Sequence, residues 1–82
     1  MSLRTTLTAC NLRGANLAHA DLTSVRFEFA DLRGADLRGA DLSDADIAQA
    51  DLMRALLDGT TRSGTVFDGA TLPPAPGTKT NP

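Results

Sequence analysis

From Cys10 to Gly59 a large apolar residue returns at every fifth position: Leu12, Leu17, Leu22, Phe27, Leu32, Leu37, Leu42, Ile47, Leu52 and Leu57, ten in fifty residues with no polar interruption. Two residues before each of these centres stands a small one: Cys10, Ala15, Ala20, Val25, Ala30, Ala35, Ala40, Ala45, Ala50 and Ala55. Between the two lies an outward position filled by Asn11, Asn16, Asp21, Arg26, Asp31, Asp36, Asp41, Asp46, Asp51 and Leu56. On an α-helix successive centres would step around the cylinder by about 140°, leaving no apolar stripe. In a strand the small residue and the centre share a face, but the alternation fails once per repeat. A turn must therefore intervene every five residues. A chain that runs briefly extended and then turns, over and over, coils into a solenoid with its small and large apolar residues on the axis.

The cycle of Ala, Asp or Asn, Leu and two variable residues, as in Ala30-Asp31-Leu32-Arg33-Gly34, resembles the pentapeptide-repeat family. The match is clean from Cys10 to Gly59, and its phase continues to Leu72. The resemblance implies an all-β fold, a right-handed quadrilateral β-helix in which four repeats make one square coil, giving about 3.5 coils. With twenty residues per coil, Leu12, Leu32, Leu52 and Leu72 stack on one side, Leu17, Leu37 and Leu57 on the next, Leu22 and Leu42 on the third, and Leu7, Phe27, Ile47 and Phe67 on the fourth. The expected core is Leu12, Leu17, Leu22, Phe27, Leu32, Leu37, Leu42, Ile47, Leu52, Leu57, Phe67 and Leu72.

This phase divides the chain into a lead-in or cap over 1–9, regular repeats over 10–59, an irregular terminal coil and cap over 60–72, and a Pro-rich tail over 73–82 that is expected to be flexible. The irregularity is expected at Arg62, which takes a centre position: an unpaired guanidinium in an apolar axis is costly, so the coil should loosen there. Phe67 and Leu72 should then pack on the end as the cap that solenoids require. The N-terminal end has only Leu3 and Leu7 to cover it, which raises the expectation of a homodimer through the coil ends.

Length and composition add little to this picture. Eighty-two residues suit one small domain, and the 41% hydrophobic content is ordinary. No transmembrane run and no apolar leader is visible, so a cytoplasmic location is expected. Met1-Ser2-Leu3 also fits an added start, which leaves the native N-terminus open. Cys10 is the sole cysteine, at a small-residue position, so no internal disulfide and no cysteine metal cluster is expected.

Charge narrows the partners. Residues 10–59 hold nine acids and five arginines, a balance of −4, and the whole chain is at −2. Direct nucleic-acid binding is disfavoured by that sign. The most acidic side carries Asp21 and Asp41, with Asp44 at its corner; the side with Arg13, Arg33 and Arg54 also holds Asp31 and Asp51, which should neutralise it. The repeated Asp and Asn suit turns, where a short polar side chain bonds nearby backbone, so metal binding is not expected. Gly14, Gly34, Gly39 and Gly59 fit corners and do not form a phosphate loop. The single histidine, His19, falls at an outward corner with no group to orient it, so no catalytic residue, no cofactor-binding residue and no cofactor is expected.

Phe29 departs from the pattern, since it takes a corner where other repeats carry Gly, His, Ser, Asp, Gln or Arg. Its ring either lies flat over a neighbouring corner or serves as an aromatic anchor for a partner. Arg26, in the same repeat, is expected to pair with Asp46 or Glu28. The residues suggest a non-enzymatic protein–protein interaction scaffold, without a membrane role, whose candidate surface is Phe29, Asp21, Asp41 and Asp44. The family resemblance implies an alternative: some pentapeptide-repeat proteins look like duplex DNA and bind DNA gyrase, which would set Asp21, Asp41 and Asp44 against the enzyme's basic saddle.

Overall fold

At each centre the chain closes a tight turn. The Leu32 carbonyl accepts the N–H of Ala35 at 3.0 Å, and the Leu37 carbonyl that of Ala40 at 3.0 Å; the same bond closes every repeat from Leu7–Cys10 to Phe67–Ala70. The residue two after each centre is the corner, from Ala9 to Gly69, with φ between 59° and 74°. Positive φ at the second central residue alone is the signature of a type II turn. The computed structural model describes residues 6–73. Leu3 and the Pro-rich tail from residue 74 onward lie outside the described residues.

Ten parallel bridges pair each outward residue with the one twenty positions later, from Thr6–Arg26 to Asp51–Thr71. Four turns therefore complete one coil, and the coils stack in register. Each side contributes one bridge residue per level, and among the described residues no longer strand forms. The all-β expectation is met by single bridges, because a turn every five residues leaves no room for an extended run.

This geometry satisfies every N–H of a regular repeat. In Ala30–Gly34, Ala30 N–H closes the preceding turn on Phe27, Asp31 N–H reaches down to Cys10, Leu32 N–H reaches up to Asp51, and Gly34 N–H reaches up to Met53. The remaining donor, Arg33 N–H, is taken by the Asp31 carboxylate at 3.2 Å. The same bond, outward residue to the N–H two positions on, recurs from Asn11, Asn16, Asp21, Asp36, Asp41, Asp46 and Asp51. A short side chain with an acceptor oxygen is what the position requires, and unpaired backbone donors are correspondingly rare in folded chains.

The axis is apolar. Fourteen residues between Leu22 and Ala55 are buried, the small column as fully as the large one: Val25, Ala35, Ala40 and Ala45 are as inaccessible as Leu22, Phe27, Leu42 and Ile47. Toward both ends burial falls off. Leu12, Leu17, Leu57 and Phe67 are half-buried against this cluster. Leu72, expected in the core, is 41% exposed, because no described coil lies above it.

The loosening expected at Arg62 does not occur. Thr61 bridges Asp41, Ser63 accepts the N–H of Asp44 at 2.8 Å, and Thr65 N–H closes the turn on Arg62 at 3.2 Å. The ladder is made by backbone, and at this last level the centre position opens to solvent, so the guanidinium is never buried. Arg62 is exposed and its Nε donates to the Thr60 hydroxyl at 2.8 Å. Thr60 and Thr65 stand where earlier coils have small apolar residues, and each hydroxyl finds a carbonyl, that of Leu57 or of Leu42.

Corner side chains lean onto the next coil. A Cβ built on Gly39 would collide with the His19 ring at Nδ1, one on Gly64 would meet the Asp44 carboxylate, and one on Gly69 the Gln49 amide. Gly39→Ala and Gly34→Ala should each cost about 1–2 kcal/mol from the left-handed backbone. Gly39→Ala costs more, since it must also displace the ring. In a denaturant double-mutant cycle, His19→Ala should erase the excess at Gly39; an excess that persists without the ring would contradict this packing.

Candidate functional site

The four sides differ in charge and in what they leave uncommitted. On the side of Asp21, Asp41 and Asp44, Asp21 bridges Asp41 one coil on, and their carboxylates take the N–H groups of Thr23 and Ser43. The Thr23 hydroxyl and N–H hold the Asp21 carboxyl below its usual range, and those of Ser43 do the same for Asp41. These two residues are thus structural acceptors that also display charge. Asp44 is exposed at the corner between this side and the next. The structure brings these three acids onto one edge of the solenoid, and Phe29 is not among them: it sits at the following corner.

Phe29 is 65% exposed with φ 63°. In its repeat Arg26 bonds Glu28 at 3.1 Å, and Asp46 is left out of the pair. Arg26 has no acceptor oxygen for the turn N–H, so this repeat gives up the bond that Asp supplies elsewhere.

The opposite side is an ion-pair ladder. Asp31 Oδ2 receives Arg13 Nε at 2.7 Å and Arg33 Nη2 at 2.8 Å, and Arg33 reaches Asp51 at 3.8 Å. On the side between, Arg38 pairs with Asp36 at 2.7 Å. Donation by Arg38, from its side chain first and its backbone second, lowers the Asp36 carboxyl to about 2. Asp21, Asp36 and Asp41 are all more acidic folded than in an open chain, so their ionisation favours folding. That contribution is complete above the ordinary carboxylate range and is lost as pH falls through the folded values. The thermal midpoint should be level above about pH 5 and decline toward about pH 2, and Asp36→Asn should melt lower at neutral pH with a shallower acid decline. Parallel pH profiles for the two chains would show that Asp36 is not coupled to folding.

Open recesses lie along the edges of the described residues. One, of about 560 Å³, is lined by Thr6, Ser24, Arg26, Asp44, Asp46 and Val66. Its volume is in the range of ligand sites, but it is a surface groove with no wall to exclude water. Another, of about 260 Å³, is lined by Arg13, Arg33, Gly34 and Arg54. Neither groove was foreseen as a groove, although the near-twenty spacing of Arg13, Arg33 and Arg54 signals the second. Among the described residues no group of three or more His, Cys, Asp or Glu is placed to hold a metal, and no helix is long and apolar enough to cross a membrane.

The family model for pentapeptide repeats (8 copies) matches residues 4–39 and 35–72. The chain belongs to the pentapeptide-repeat family. Solved members of the family share its architecture. A pentapeptide repeat protein from Nostoc Pcc 7120 is similar at a TM-score of 0.82 and 39% identity, over 84% of this chain and 57% of that one. One from the cyanobacterium Cyanothece 51142 is similar at 0.79 and 29%, over 82% of this chain and 46% of that one. One from the Arabidopsis thaliana thylakoid lumen is similar at 0.66 and 26%, over 80% of this chain and 60% of that one. The chain thus spans about half the length of the solved relatives it matches. No curated protein matches the sequence. Proteins of the pentapeptide-repeat family fold as right-handed quadrilateral β-helices and are generally non-enzymatic structural repeats.

Proposed function

We propose that this chain is a non-enzymatic scaffold for protein–protein interaction, a square solenoid of about three and a half coils whose rigid sides present side chains to another protein. The observation that carries this reading is Phe29. A corner favours glycine, and a bulky residue there accepts backbone strain. A ring left 65% exposed recovers little of that cost from burial. Fold stability alone gives no reason to keep an aromatic at this place, whereas large rings are what interfaces bury most productively.

A photo-crosslinking residue introduced at Phe29 should give a defined adduct with a partner in cells, and the same residue at Ala18, on another side, should not. Identical adduct patterns from both positions would defeat the reading. The acidic edge of Asp21, Asp41 and Asp44 belongs to the same proposal as a secondary contact. Modulation of gyrase is the weaker alternative: Thr6, Arg26, Asp46 and Val66 mark four levels, about 14 Å of rise at the spacing of paired strands, which is short for a DNA mimic. A homodimer through the coil ends would lengthen the rod, and light scattering over a concentration series would register it as a doubled mass.

A further inference from the structure

We propose that the edge carrying Arg13, Arg33 and Arg54 is a carboxylate-binding cradle for an acidic segment of a partner protein; this rests on the scaffold reading and names a docking place and its chemistry. The recess of about 260 Å³ at this edge is lined by these three arginines and Gly34. Its emptiness is a consequence of the corner column. His19, Asp44 and Gln49 fill the space over Gly39, Gly64 and Gly69, but below Gly34 stands another glycine, and a Cβ on Gly34 would meet only the Gly14 nitrogen at 4.0 Å. No side chain occupies the place.

The arginines around it hold donors in reserve. Among the described residues, Arg13 commits Nε to Asp31, and its two terminal nitrogens make no hydrogen bond. Arg33 spends Nε and Nη2 on Asp31. Arg54 makes no ion pair among the described residues. Three guanidiniums against Asp31 and Asp51 leave one positive charge in excess, on a chain whose net charge is −2. The spacing already accepts a carboxylate: Asp31 Oδ2 bridges Arg13 and Arg33 across two coil levels at 2.7 and 2.8 Å. A second carboxylate placed above Gly34 would meet the unused ends of Arg13 and Arg54. The recess is open to water, where a single ion pair contributes little. A free small anion is therefore held poorly, and a segment bearing several acidic side chains gains by engaging both arginines at once.

The test is fluorescence anisotropy of a labelled oligoglutamate peptide titrated with the full chain at low ionic strength, with inorganic phosphate as competitor. Saturable binding is expected, weakened about tenfold at physiological salt. Arg13→Gln and Arg54→Gln should each weaken it about fivefold, Arg54→Lys should restore part of the loss, and Arg38→Gln should leave it unchanged. Matching thermal melts would confirm that the variants fold. No saturable binding, an equal loss in Arg38→Gln, or displacement by phosphate at concentrations equal to the peptide would overturn the cradle. If the titration fails while the Phe29 adduct persists, the cradle is wrong and the scaffold stands; if both fail, the scaffold reading falls as well.

Discussion

Phe27→Ala is expected to lower stability by about 3–5 kcal/mol, the range for deleting a buried aromatic ring. The chain's other two phenylalanines calibrate that figure. Phe27 is 0% exposed between the Leu7 and Ile47 levels of its column, Phe67 is half-buried at the open end of the same column, and Phe29 is 65% exposed at a corner. The same truncation should therefore cost most at Phe27, less at Phe67, and least at Phe29, where the exposed ring loses little burial and Ala keeps the Cβ that sets the left-handed strain. Chemical denaturation of the three variants reads the ranking directly. Phe29→Ala is the informative control, because a cost there approaching that at Phe27 would mean that the ring packs against the solenoid and is not free to meet a partner.

Leu37→Ala is the second large effect, at about 2–5 kcal/mol. Leu37 is 1% exposed at the centre of its side, between the Leu17 and Leu57 levels; its N–H joins the ladder at Leu56 and its carbonyl closes the turn on Ala40. A cavity there has no end of the stack into which to relax. Arg38→Ala, one residue on, removes an exposed ion pair with Asp36, and exposed pairs contribute little to stability. The denaturation midpoint of Leu37→Ala should fall well below that of Arg38→Ala. Equal midpoints would place the repeat in the wrong phase.

Much of this was legible in the sequence, because the period of five constrains backbone and side chains together. The twenty-residue stacking follows once the family resemblance supplies four repeats per coil, and the centres and the small column follow from position alone. So does the preference for Asp and Asn at the outward position, whose carboxylate or amide oxygen takes the turn N–H, as Asp31 does for Arg33. The ends were less legible. Arg62 looked incompatible with its place, yet it keeps the register, since a terminal level exposes its centre and the ladder needs only backbone. Leu72 looked like core for the converse reason: its periodicity is intact, but nothing described covers it. Partner choice among surface charges was also hidden. Arg26 turns to Glu28 on its own level instead of Asp46 on the next, a rotamer decision that spacing does not encode. The cradle depends on two glycines at the same corner one coil apart, Gly14 and Gly34, a coincidence that becomes visible only once the corners are seen to lean upward onto their neighbours.

Through-hydrogen-bond scalar couplings measured by NMR test the twenty-residue coil most directly, because they identify each donor and acceptor by residue. The account predicts correlations from the amide nitrogens of Leu32, Leu37 and Leu42 to the carbonyl carbons of Asp51, Leu56 and Thr61. From these three amides, correlations at any other constant separation, or none between levels, would contradict the square coil and every face assigned from it.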